Sequence, residues 1–195
     1  MTVPANITAI TASPRKGGNS DILTEYFCSG AKTDRLIRLA DYDFSPCVGC
    51  EMCRKTGKCS RFDDGMQEIY PRIIESKGLF LISPVHNYNV TAWMKAFIDR
   101  LYCFYEFEEP RPGPWRSKLA GEGRKAVVAA VCEQADKKDM GFTLEAMSMP
   151  LEALGYEIIA ESPVLNTFYK GRIADNSEAL QRFEDLGRKL REAVT

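Results

Sequence analysis

Hydrophobic positions follow two rhythms that alternate along the chain. Ile7 to Ala12 is a continuous β-rich apolar run, and after a polar turn Ile22, Leu23, Tyr26 and Phe27 recur at helical spacing. Arg35 to Ala40 predicts a second strand, whose mixed polarity suits a sheet edge. Met66, Ile69, Tyr70, Ile73 and Ile74 predict a second helix that Pro71 kinks or divides. Leu79 to Ile82 reads as a strand covered on both faces. Trp93, Met94, Phe97, Ile98 and Leu101 then mark a helical face with Thr91 or Asn89 as N-cap. Ala126 to Cys132 predicts a fourth strand, Leu144, Met147, Leu151 and Leu154 a helix ending at Gly155, and Glu157 to Ala160 a fifth strand. Asp175 with Glu178 has the form of a capping box for a last helix, with Leu180, Phe183, Gly187, Leu190 and Val194 as its buried stripe.

Strands alternating with helices require right-handed crossovers, hence a parallel sheet with helices on both faces: an α/β three-layer sandwich. Five strands fit a flavodoxin-like doubly wound sheet of order 2-1-3-4-5. The ligand of such a sheet lies beyond the C-terminal strand ends, where the order reverses between strands 1 and 3. Here that means the turns after Ala12 and after Ile82. The 195 residues make one domain, able to bury about 70% of its extended surface. It carries a cysteine-rich insertion at 46–60 and an irregular, Pro- and Gly-rich stretch at 103–124 that reads as a lid or subunit contact. The basic residues of Arg111 to Lys125 read as a solvated loop.

Charge removes two partner classes. Lys plus Arg number 26 against 27 Asp plus Glu, so nothing draws the chain toward nucleic acid or an anionic membrane surface. No apolar run approaches the roughly 20 residues of a membrane span, and Met1 to Ile10 lacks the pattern of a secretory leader, so the cytoplasm is the expected compartment. In a reducing compartment, seven cysteines point to metal or redox chemistry rather than a disulfide framework. Cys28, Cys103 and Cys132 fall in ordinary helix or strand patterns and read as packing residues.

Three segments carry chemistry. The turn Ser13-Pro14-Arg15-Lys16-Gly17-Gly18-Asn19-Ser20 offers small residues, hydroxyls, an amide and a helix N-terminus, the parts of a phosphate cradle or of a plain Gly-rich turn. It has neither the Walker nor the GxGxxG spacing, so a phosphomonoester fits better than a nucleoside triphosphate or a dinucleotide. The turn Pro84-Val85-His86-Asn87-Tyr88-Asn89 sets amides and side chains at the neighbouring strand end, where they could meet a flat heterocycle edge-on. His86 is the one histidine, which leaves no multi-histidine metal site and no arrangement that needs it for proton transfer. Cys47, Cys50, Cys53 and Cys59 form a C-x2-C-x2-C-x5-C array that suits a 4Fe-4S cubane, with free thiols and structural zinc as the other readings. Strand 2 lies beside strand 1 in the expected order, so these cysteines are expected on the same rim as the phosphate turn.

These segments, with Asp63-Asp64-Gly65-Met66 and Lys95-Ala96-Phe97-Ile98-Asp99-Arg100, follow one another as in the NADPH-dependent FMN reductase-like flavoproteins, and the chain resembles in particular the iron-sulfur flavoproteins. The resemblance implies an FMN-dependent oxidoreductase fed by NAD(P)H or a ferredoxin-type partner and passing electrons to a quinone, flavin or oxygen-species acceptor. It implies phosphate contacts at Ser13, Arg15, Gly18, Asn19 and Ser20, and ring contacts at Pro84, Val85, His86, Asn87, Tyr88 and Asn89. Cys47, Cys50, Cys53 and Cys59 are then iron ligands, and a homodimer or homotetramer is the expected assembly. A flavodoxin-like shuttle without turnover and a zinc-stapled interaction domain are the rival readings.

Overall fold

A computed structural model describes residues 6–195, so the first half of the Met1 to Ile10 stretch lies outside the described residues. The sheet strands are β1 (Ile7–Thr11), β2 (Leu36–Arg38), β3 (Gly78–Pro84), β6 (Lys125–Val131) and β7 (Glu157–Val164). They pair in parallel in the order β2-β1-β3-β6-β7, the doubly wound order of the sequence reading. The helices are α1 (Asn19–Ala31), α2 (Met52–Thr56), α3 (Met66–Glu75), α4 (Ala92–Arg100), α5 (Glu145–Ala153) and α6 (Ser177–Val194). No helix among the described residues is long and apolar enough to cross a membrane.

The near-continuous apolar strands divide their side chains between two cores, as a period of two dictates. Leu79, Leu81, Val128 and Ala130 join the core that holds Met66, Ile69, Ile73, Met94 and Phe97, whereas Phe80, Ile82, Val127 and Ala129 join the core that holds Leu23, Phe27, Phe183 and Leu190. Phe80 stacks on Phe27 at 4.0 Å and meets Phe183 edge-on at 6.1 Å, so one strand residue couples α1 to α6.

Several boundaries differ from the expected ones. The second strand ends at Arg38, because Leu39–Asp41 turns into a 3-10 helix that buries Leu39. Helix α3 runs unbroken through Pro71, which occupies its solvent face, and Ile74 points outward. Thr91 caps α4 by accepting from the Met94 N–H at 3.3 Å. The last helix is capped by Asn176, whose side chain accepts from the Ala179 N–H at 3.0 Å; Asp175 instead pairs with Arg172 at 3.0 Å. Within 103–124 lies an antiparallel ribbon of β4 (Tyr105–Phe107) and β5 (Trp115–Ser117). Arg124 is no solvated cation: it is buried and donates to the carbonyls of Ile73 (3.3 Å) and Ile74 (2.8 Å), satisfying the C-terminal end of α3.

Candidate functional site

The turn after β1 is tied down from below. Thr11 Oγ1 donates to Asp21 Oδ1 at 3.1 Å, the Gly17 N–H donates to Asp21 Oδ2 at 2.8 Å, and Arg38 forms an ion pair with the same buried carboxylate. Ser13 Oγ accepts from the Arg15 N–H at 3.2 Å, and the Gly18 N–H donates to the Arg15 carbonyl at 2.9 Å. Gly18 then opens α1 with no side-chain cap, so the first-turn N–H groups of the helix keep their capacity for an external acceptor. A Cβ at Gly18 would stand 2.8 Å from the Arg15 carbonyl oxygen and 3.1 Å from Ser13 Oγ, which is why the turn needs glycine there.

These atoms face a cavity of about 160 Å³ at the C-terminal strand edge. Ser13, Arg15, Gly18, Asn19, Ser20, Pro84, Val85 and His86 line it, so two turns far apart in sequence meet as the switch-point argument requires. Lys16 does not line it. A second depression of about 380 Å³ shares Val85 and Glu133 with the first and adds Asn87 and Tyr88. The polar first compartment is the size of a phosphate with its linker, and the second has room for a ring system.

The ring-side turn is tight. The His86 N–H donates to the Asn89 carbonyl at 2.8 Å and the Asn89 N–H to the His86 carbonyl at 3.1 Å, with Asn87 and Tyr88 both at positive φ, the geometry of a type I′ turn. Asn89 reaches neither depression; its side chain accepts from the Val90 N–H at 2.8 Å. Asn19 lines the cavity, yet its amide is already engaged: Nδ2 donates to the Tyr169 carbonyl at 3.0 Å and Oδ1 accepts from the Ile173 N–H at 3.1 Å. That bridge draws in a wall absent from the sequence reading, formed by Thr167, Phe168 and Lys170. The only sequence hint of it is the run of polar and aromatic residues between the last strand and helix.

The four clustered cysteines also converge. They line one cavity of about 340 Å³ with Phe62, Arg100, Tyr102 and Cys103. Gly49, at φ +66°, turns the backbone between Cys47 and Cys50 through a conformation other residues resist. Burial, and after it the thiols of Cys59, Cys47 and Cys50, push the Cys53 thiol up. Cys103 is buried in the core as expected and also lines this cavity, its thiol pushed up to about 11 mainly by burial. Among the described residues no three His, Cys, Asp or Glu side chains already stand at ligating spacing. The donor set itself, four soft thiols around one mostly apolar cavity, fits an iron-sulfur cluster and would take it through Cys47, Cys50, Cys53 and Cys59.

A clamp holds this insertion on the body. Buried Arg100 donates to Asp64 Oδ2 at 2.7 Å and Oδ1 at 3.0 Å and to the Ser45 carbonyl at 2.7 Å, while Asp64 also accepts from the N–H groups of Ser45 and Met66. On the outer side Arg54 pairs with Glu109 at 2.6 Å and Arg111 with Glu51 at 2.8 Å, pinning the ribbon against α2. The cysteine cavity and the phosphate-turn cavity share no lining residue. Thr91, at the start of α4, donates its hydroxyl to the Ala12 carbonyl beside that turn, whereas Asp99 and Arg100, at its end, line the cysteine cavity. Nine residues of helix, about 13 Å at about 1.5 Å per residue, lie between those two ends of α4.

An α/β sheet of this order with a polar cavity at its switch point puts the chain in the flavodoxin-like class of folds. The chain belongs to the NADPH-dependent FMN reductase family, a family of oxidoreductases whose pattern matches residues 5–151, and groups there with proteins named iron-sulfur flavoproteins. One of these, from Archaeoglobus fulgidus, is 30% identical over 189 residues, covering 94% of this chain and 78% of that protein. Another, from Methanocaldococcus jannaschii, is 37% identical over 99 residues; the match spans about half of each protein, 48% of this chain and 50% of the relative. The solved structure of an NAD(P)H:quinone oxidoreductase from Methanothermobacter marburgensis shares the fold, with a TM-score of 0.69 at 17% identity over 94% of this chain and 98% of that one.

Proposed function

We propose that the chain is an FMN-dependent oxidoreductase that takes electrons from NAD(P)H or a ferredoxin-type donor and carries a 4Fe-4S cluster on Cys47, Cys50, Cys53 and Cys59. The observation that carries this reading is the polar cavity beneath the uncapped start of α1, which shares Val85 and Glu133 with a neighbouring ring-sized depression. FMN supplies hydride acceptance with single-electron release, and a 4Fe-4S centre exchanges one electron at a time. Ser13, Ser20 and the α1 amides bind the phosphate, Arg15 adds charge, and the rigid Asn87-Tyr88 turn orients the ring edge. The Asp64–Arg100 clamp fixes the loop that presents the thiols. Exposed Tyr88 and Phe142 border the ring side and support a homo-oligomer in which a second copy shields it.

Purification without oxygen, followed by quantification of flavin, iron and acid-labile sulfide, tests both halves at once. The expected yield per chain is about one FMN with about four iron and four sulfide. Colourless protein containing zinc would overturn the proposal. Gly18→Ala is expected to weaken FMN binding by roughly 10- to 100-fold, the worth of one disturbed charge-assisted hydrogen bond, with iron content unchanged. Flavin-fluorescence titration reads this, and wild-type affinity in that variant would remove the turn from the binding site.

A further inference from the structure

The wall formed after β7 lines the same cavity as the two turns, although the sequence hints at it only through a polar and aromatic run. Its backbone is fixed at four points. The Asn166 N–H donates to the Gln134 carbonyl at 3.0 Å, the Thr167 N–H to the Cys132 carbonyl at 3.0 Å, and Asn19 holds Tyr169 and Ile173 as described. Two side chains of this loop are free to project into the first compartment, Phe168 and Lys170. The Arg15 guanidinium lies over the Phe168 ring at 5.7 Å.

The charge count of the compartment is incomplete without this loop. A phosphomonoester carries roughly −1.5 to −2 at neutral pH. Arg15 and Lys170 are the Lys or Arg side chains that line the cavity, and Glu133 is the acid among its lining residues. With Glu133 opposing Arg15, the helix N-terminus alone leaves about +0.5 against the dianion, and Lys170 raises that to about +1.5. The pinned backbone means that Lys170 needs no loop closure to engage, so little ordering entropy opposes it.

We propose that Lys170 is the second cation of the phosphomonoester compartment and that Phe168 positions Arg15 by a cation–π contact. The inference rests on the reading of this cavity as an FMN site and adds to it a charge-reading residue from the other end of the chain. FMN and riboflavin differ only in the phosphate, so titration of each against apo-protein separates phosphate reading from ring binding. Lys170→Gln is expected to raise the FMN dissociation constant roughly tenfold, to leave riboflavin binding unchanged and to flatten the salt dependence of FMN binding. Lys170→Arg restores most of the loss. Phe168→Ala is expected to weaken FMN by roughly threefold, again with riboflavin unmoved.

Unchanged FMN affinity in Lys170→Gln, while Gly18→Ala loses it, would overturn the role of Lys170 and leave the FMN site standing. Equal loss of FMN and riboflavin would make the loop a ring contact and likewise reject the charge role. Wild-type protein that binds neither flavin would reject the cavity reading and this inference together.

Discussion

Replacing Asp64 with alanine is expected to lower the unfolding free energy by about 3–5 kcal/mol, because it leaves the Arg100 guanidinium buried without its anion. The Arg100 side chain is 1% exposed and Asp64 14%, so solvent does little to compensate. Urea unfolding measures the loss. Arg100→Met alone is expected to cost less than Asp64→Ala, and the double variant to recover part of the alanine loss, since a methionine of similar reach removes the orphaned charge. Equal losses in all three variants would show that the pair is not coupled. Acid gives a second reading. Burial by itself would raise the Asp64 pKa, but the Arg100 pair and the amides of Ser45 and Met66 outweigh it and hold the carboxyl below the ordinary aspartate range. The folded-state value is therefore depressed, and the stability it confers is complete above about pH 4 and lost as the pH falls through the folded value. Wild-type stability should drop in that acid window more steeply than that of the double variant.

Gly30→Leu is expected to destabilise by about 3 kcal/mol or more, despite the better helix propensity of leucine. A Cβ at Gly30 would fall 1.8 Å from the Glu184 carbonyl oxygen, and one at Gly187 would fall 2.0 Å from the Phe27 carbonyl oxygen. The two glycines let α1 and α6 touch backbone to backbone, and neither contact can yield by rotating a side chain. Ser29→Leu, one residue away on the exposed side, is the control and should stay within about 0.5 kcal/mol of wild type. If Gly30→Leu melted with wild type, the close approach of these helices would be disproved. Gly187→Leu should repeat the effect.

The fold was legible because its buried strands leave runs that no amphipathic helix would show, such as Leu79 to Ile82, and because Thr91 and the stripe ending in Val194 announce helix boundaries directly. Errors arose where one residue competes with its neighbour. Asp175 and Asn176 are both good caps, and only the ion pair to Arg172 shows why Asn176 wins. The ribbon was hidden because each of its strands is three residues long and the turn between them is crowded with proline and glycine. The turns at Ser13 and Pro84 could be found because a switch point is a topological fact. Cys103, Phe168 and Lys170 could not, since their place in the cavities follows from distant chain segments packing together.

The bridge from Asn19 to Tyr169 and Ile173 spans 150 and 154 residues. Contacts of such high sequence separation form late, after the loop between them has been closed at an entropic cost. A chain still emerging from the ribosome has its phosphate turn and cysteine array long before Asn19 has a partner. On this ordering the four clustered thiols emerge early, while the cavity between the two turns is complete only once the loop before α6 has docked.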